Sequence, residues 1–274
     1  MTFSNRRVLT GAAVLASSCV IALHSQQADS RSRAQAALEQ TYAAYKALNA
    51  FHAKIKWTAK YSGGMTADDF PVPGPDTIEL RMQRPNKFFM ATSSKRLGKP
   101  SSYLIVSDGT SLWCWRSWTN TYVETKAPAA LSEMAKLLPD DAIGTSDGSA
   151  WEADSIIEWD LLATNQDPLQ GAADAGVVFT LTGPEKLGDA QVNVLRLSAP
   201  AGLPFSLETR LYLGVTNHLV RAHGLSARGK HPETGKDFTV EMQAVYEIHN
   251  TQPKFTDADF RFVPPPGAKR AVGK

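Results

Sequence analysis

The chain has 274 residues, 43% of them apolar and 20% charged. That balance supports a packed core and excludes a disordered chain, a collagen or a coiled coil. The formal net charge of +2 traces to Arg6 and Arg7, because residues 1–28 hold no Asp or Glu. With no Lys/Arg run elsewhere, the chain has no electrostatic footprint for nucleic acid and no polybasic stripe for an anionic membrane.

Met1–Asn5 is short and uncharged, then come Arg6-Arg7, and Val8–Leu23 carries no charge. This is the pattern of a secretory signal, read here over residues 1–28. The apolar stretch is short and rich in Ser and Ala, which fits cleavage better than a retained spanning anchor. Asn5-Arg6-Arg7-Val8-Leu9-Thr10 also loosely matches the twin-arginine export pattern. Ala16-Ser17-Ser18-Cys19 has the form of a lipoprotein cleavage box, with Ala where an aliphatic residue is usual. Cys19 is therefore a candidate lipidation site, and the exported protein is either soluble or lipid-anchored. The other cysteine, Cys114, sits in the apolar run Leu112–Trp115 and reads as a small buried hydrophobe.

The remainder, residues 29–274, reads as a single domain. A split near Asp140–Gly148 is the alternative. Ser30–Asn49 is helical by spacing, with Leu38, Tyr42, Tyr45 and Leu48 on one stripe. Beyond this helix the chain is mostly strand. Ala53, Ile55, Trp57, Ala59 and Tyr61 alternate with Lys54, Lys56, Thr58 and Lys60, as on a half-buried strand. Ile78, Leu80 and Met82 alternate in the same way before Arg84-Pro85-Asn86 breaks the run. Phe88–Thr92 is short and apolar. Tyr103–Val106 and Leu112–Trp115 flank Ser107-Asp108-Gly109-Thr110, a hairpin signal. Tyr122–Lys126 closes this half. Ala129–Leu138 and Ser149–Ala163 read as helices, with loops at Asp140–Gly148 and Asp167–Gly176. Strands resume at Val177–Leu181, Val192–Leu197, Leu207–Leu213, Asn217–Ser226 and Phe238–Ile248.

About ten or eleven short strands with turn signals predict one curled, mainly β, antiparallel sheet. The bulky residues assigned to its inner face include Trp57, Tyr61, Leu80, Met82, Trp113, Trp115, Leu211, Met242 and Tyr246. The helical segments Ser30–Asn49, Ala129–Leu138 and Ser149–Ala163 are available to cover that face. If they fill the groove, the protein is a plain packed domain. If they cap it loosely, an apolar cavity remains for a ligand with long hydrocarbon parts. No G-x-S-x-G, H-E-x-x-H, C-x-x-C or G-x-G-x-x-G is present, and the six histidines form no metal set. Asp257 and Asp259 would share a strand face, or mark a solvated turn. No cofactor or metal is expected, nor is an enzymatic activity.

Four stretches carry a resemblance. They are Leu48–Ala53, Leu80–Phe88 with its Arg84-Pro85-Asn86 turn, Val106–Trp113 with its Ser-Asp-Gly-Thr hairpin, and Phe260–Ala268. In this order they resemble the LolA-like superfamily, periplasmic carriers of outer-membrane lipoproteins and their relatives. Thr125–Leu138 and the long Asp140–Gly176 insertion look closer to an uncharacterised branch of predicted periplasmic proteins. The resemblance implies a half-open, strongly curved antiparallel β-barrel whose concave face is covered by helices. It implies lipid or lipoprotein acyl chains as ligands, with Trp57, Leu80, Met82, Trp113, Trp115, Leu211 and Met242 as candidate contacts. Phe260–Ala268 would be the closing strand. Arg84 corresponds to the arginine that hydrogen-bonds lid backbone and latches the closed state. The expected protein is thus an exported, periplasmic, monomeric, non-catalytic binder or carrier. The alternative is an envelope sensor or assembly module of the same fold that binds a protein partner.

Overall fold

The structure is a computed structural model that describes residues 30–66, 76–94, 100–137, 161–162, 176–200, 205–231 and 234–271. The segment expected to direct export, with Cys19, and most of the helix expected at Ser149–Ala163 lie outside the described residues.

Helix α1 spans residues 30–47 and buries Ala34, Ala37, Thr41 and Tyr45. These positions recur at helical spacing, so one stripe faces the protein. The stripe is rotated from the one expected: Leu38, Tyr42 and Leu48 are only half-buried. Small alanines let the helix approach closely, and Tyr45 meets Phe51 edge to face at 5.8 Å.

Twelve strands form one sheet. They are β1 (Ala50–Ser62), β2 (Thr77–Gln83), β3 (Lys87–Ser94), β4 (Ser101–Asp108), β5 (Ser111–Arg116), β6 (Thr121–Lys126), β7 (Val178–Leu187), β8 (Ala190–Ser198), β9 (Phe205–Gly214), β10 (Val220–Lys230), β11 (Asp237–Asn250) and β12 (Lys269–Arg270). Their order is β12-β6-β5-β4-β3-β2-β1-β11-β10-β9-β8-β7, so the sheet is open, with β12 and β7 as edges. Every pairing is antiparallel except the two-residue bridge of β12 to β6. The hairpin between β4 and β5 forms as its sequence predicts. Asp108 Oδ1 accepts from the backbone N–H of Thr110 at 2.7 Å and of Ser111 at 2.8 Å. Gly109 takes φ +96°, a region glycine enters without steric cost.

Alternation gives the sheet one apolar face. Cross-strand rows such as Ala53–Leu80–Met90–Ile105–Cys114 are buried throughout. Cys114 is therefore the small buried residue expected of it. On the far side of β1, Trp57–Ala244–His223–Leu211–Leu195 continues the same face. This face forms one apolar cluster with Ala34, Ala37 and Tyr45 of α1, with Leu131 and Met134, and with Leu161 and Leu162.

Several expectations are corrected. Trp113 and Trp115 do not belong to the apolar face. They pair with Val106 and Leu104, one step out of phase with buried Leu112, Cys114 and Arg116. Both sets in this strand are bulky or apolar, so period two alone fits either facing. Trp113 is accepted on the other face because the C-terminal segment covers it, and Trp115 is held there by Asn120. Phe262 stacks on Trp113 at 5.6 Å and contacts Tyr122 at 5.2 Å. That segment, Phe260–Ala268, is not a closing strand; only Lys269–Arg270 joins the sheet. Asp257 and Asp259 share no strand face either. They lie in a 3₁₀ turn, Asp257–Phe260, capped reciprocally by Thr256 and Asp259. The helix expected at Ala129–Leu138 is also a 3₁₀ helix, Leu131–Lys136.

Besides a register shift at Thr182/Glu185 on the β7–β8 ladder, two β-bulges near β11 shift the alternation. One lies between Lys54 and Ile55 on the β1–β11 ladder, where Tyr246 pairs with Ile55 but His249 pairs with Ala53. Ile248, expected inward, is thereby opposite Lys54 on the polar face. The other lies at Val220/Ala222 on the β9–β10 ladder and inserts Arg221. Bulges re-aim side chains, and these two bring His249 and Arg221 together.

Candidate functional site

The Arg84-Pro85-Asn86 turn between β2 and β3 is a junction of backbone carbonyls. Arg84 Nε donates to Leu48 O at 2.8 Å and Nη2 donates to Tyr45 O at 3.4 Å, so the guanidinium closes the C-terminal end of α1. Tyr45 O also accepts from the backbone N–H of Leu48 at 3.2 Å, and the helix dipole favours a cation at this end. Asn86 Nδ2 donates to Gly109 O at 3.1 Å and Pro128 O at 2.8 Å. Leu131 N donates to Pro85 O at 3.0 Å. One turn thus ties α1, the β4–β5 hairpin and the Leu131–Lys136 turn together.

The apolar face has two grades of burial. Phe51, Ile55, Ile78, Leu80, Met82, Phe88, Met90 and Ile105 are at 0% exposure. Farther along β1 and out toward β7, Ala59, Tyr61, Leu225, Leu207, Phe205, Leu197, Leu181 and Phe179 are only partly buried against the same cluster. Trp57, Leu211 and Met242 stand at this boundary. Of the residues expected to touch a ligand, Leu80 and Met82 lie in the sealed part, and Trp57, Leu211 and Met242, at 8%, 3% and 3% exposure, are themselves buried, beside the partly buried set. Trp113 and Trp115 are on the opposite face, with Trp115 Nε1 donating to Asn120 Oδ1 at 3.1 Å. Two surface cavities lined by described residues both open on the polar face. One, of about 190 Å³, includes Lys60, Arg210, Tyr212 and Glu241. The other, of about 630 Å³, lies between Trp113, Phe262, Lys87 and Asp257.

At the boundary of the apolar face lies a polar island that sequence patterning misses. Trp57 and His223 meet edge to face at 4.7 Å, His223 and Tyr246 at 6.4 Å, and Tyr246 and His249 at 5.3 Å. Arg221 Nη1 lies 3.2 Å from His249 Nδ1. Among the described residues, Trp57 Nε1, His223 Nε2, Tyr246 Oη, His249 Nε2 and Arg221 Nε are buried without a hydrogen-bond partner. Each such atom costs about 1–3 kcal/mol of desolvation, so five together are too many for a plain core. Burial pushes the His223 imidazole down to about 4. His249 is also pushed down to about 4, first by burial and then by the Arg221 charge. Both rings are neutral at neutral pH. The sequence hides this group because no spacing rule links positions 57, 221, 223, 246 and 249. A histidine interrupting the apolar set of β10 is the one visible trace.

Hydrogen-bond donors beside hydrocarbon suit recognition of an amphipathic molecule. Among the described residues, no group of three or more His, Cys, Asp or Glu could hold a metal. No described helix is long and apolar enough to cross a membrane.

The fold defines a mainly β protein built on an open, twelve-stranded sheet. Residues 34–145 match the family described as a predicted periplasmic protein, DUF2092. Over α1 and β1–β6, the chain thus matches the uncharacterised predicted-periplasmic branch that its sequence resembles. No curated protein matches it. Among solved structures, it is similar to lipoprotein LppX of Mycobacterium tuberculosis at 10% identity, over 81% of this chain and 97% of that one, with a TM-score of 0.39. LprF from Mycobacterium bovis matches at 11% identity, over 81% and 95%, with a TM-score of 0.39. A LolA superfamily protein from Nitrosomonas europaea matches at 11% identity, over 84% and 97%, with a TM-score of 0.22.

Proposed function

We propose that this chain is a periplasmic binder or carrier of lipid or lipoprotein acyl chains. The ligand would lie along the half-buried part of the apolar face, touching Trp57, Leu211 and Met242. Leu80 and Met82 form the closed floor beneath α1. In this reading α1 and the helical segment at Leu161–Leu162 are the cover, and Arg84 is its latch. The observation that carries the proposal is the continuation of apolar side chains past the sealed core, around buried donors that no described residue satisfies. A self-sufficient core would seal both.

The dye Nile red, which is uncharged and brightens in apolar surroundings, tests this. The exported chain should bind it saturably. Arg84→Leu removes both bonds to α1, so dye release should accelerate about tenfold, the worth of one charge-assisted hydrogen bond. The variant should stay folded at room temperature. Equal release rates in variant and wild type remove the latch. Absence of saturable binding counts against the carrier reading and favours a module that binds a protein partner.

A further inference from the structure

The polar island has a direction. Arg221 donates to His249 Nδ1, which fixes that ring as the Nε2–H tautomer and leaves Nε2 a donor. Trp57 Nε1 and Arg221 Nε can only donate. Three of the five unsatisfied atoms are thus donors, while His223 Nε2 and Tyr246 Oη adapt to either role. What is missing is an acceptor.

We propose that this island receives the carboxylate of an acyl-chain acid, with Arg221 pairing its charge. The inference rests on the acyl-ligand reading above and adds the chemistry of the ligand's polar end. Both imidazoles are neutral, so Arg221 is the one cation of the island and matches a monoanion. The carboxylates of the flanking strands are engaged elsewhere. Glu247 pairs with Lys54 at 3.0 Å and Glu241 with Arg228 at 3.0 Å, and Glu208 pairs with Arg210, all on the polar face. Among the described residues, Arg221 makes no ion pair. From Trp57 the same face continues through Ala59 and Tyr61, flanked by Leu225, Leu207 and Phe205. That leaves roughly 13 Å of apolar track along β1 for the hydrocarbon tail.

Displacement of Nile red from the exported chain by dodecanoic acid, dodecanol and dodecyl phosphate at neutral pH tests this. Dodecanoic acid should displace the dye at about tenfold lower concentration than dodecanol, the worth of one charge-assisted pair. Arg221→Leu should bring acid and alcohol to parity. Equal displacement by acid and alcohol in the wild type overturns the proposal, and this comparison needs no variant. A preference for acid that survives in Arg221→Leu, or a preference for dodecyl phosphate, overturns it too. If dodecanol displaces the dye but acid gains nothing, the carboxylate site falls and the acyl-chain reading stands. If neither displaces it, both fall.

Discussion

Leu80→Ala should lower the unfolding free energy by about 3 kcal/mol, near the middle of the range for a sealed leucine. Leu80 lies on β2, between β1 and β3, with Ala53 on one side and Met90 on the other. Its exposure is 0%. Ala53 is too small to close the space left behind, and the ladders on both sides hold the backbone in place. Rigid surroundings keep the cavity open, which is what makes such truncations costly. The melting temperature should fall by roughly 10 °C for a domain of this size. Leu225→Ala is the contrast. Leu225 is only partly buried, so its truncation should cost less than about 1.5 kcal/mol. Urea titrations of the two variants check this. Equal losses would mean that the two grades of burial on the apolar face have no energetic meaning.

The second large effect is a dependence on pH. His223 titrates near 4 when folded and near 6.5 when unfolded. Between those values the unfolded chain binds a proton that the native chain refuses. Stability therefore rises with pH across this window and is lost as pH falls from about 6.5 toward 4. The full span is worth about 3 kcal/mol for His223, and His249 acts with the same sign. His223→Leu removes a buried nitrogen that has no partner among the described residues, so its cost at neutral pH should be small. Near pH 4 the variant should be more stable than the wild type by about 3 kcal/mol, the whole linkage contribution of that ring. Parallel curves for variant and wild type across this range would show that the ring is not held neutral by burial.

Much of the architecture is legible in the sequence because it is periodic. The lysines between Ala53 and Tyr61 give the facing of β1, and Ser107–Thr110 gives the hairpin, since both signals are local. The Arg84-Pro85-Asn86 turn is legible as a break, and its three-way bonding follows from the carbonyls that happen to end nearby. Trp113 and Trp115 are misread because Leu112–Arg116 offers two sets that could be buried. The choice is made by Phe262, far along the chain and invisible to any local pattern. The polar island is illegible for a different reason. It depends on two bulges, and a bulge is a one-residue offset that leaves no periodic trace. Without them Ile248 would face inward and His249 would face water. The α1 stripe is misplaced because large residues dominate the spacing pattern, whereas Ala34 and Ala37 are the ones that permit close contact.

The most direct measurement is organic extraction of the gently purified chain, with mass spectrometry of the extract. Molecules with long acyl chains should appear in amounts comparable to the protein, and should be depleted when Trp57→Asp places an unpaired charge on the track. Circular dichroism of that variant confirms that depletion is not unfolding. A clean extract from the folded wild type, with no uptake when fatty acids are added back, would overturn the carrier reading and leave a β-sheet scaffold without a lipid cargo.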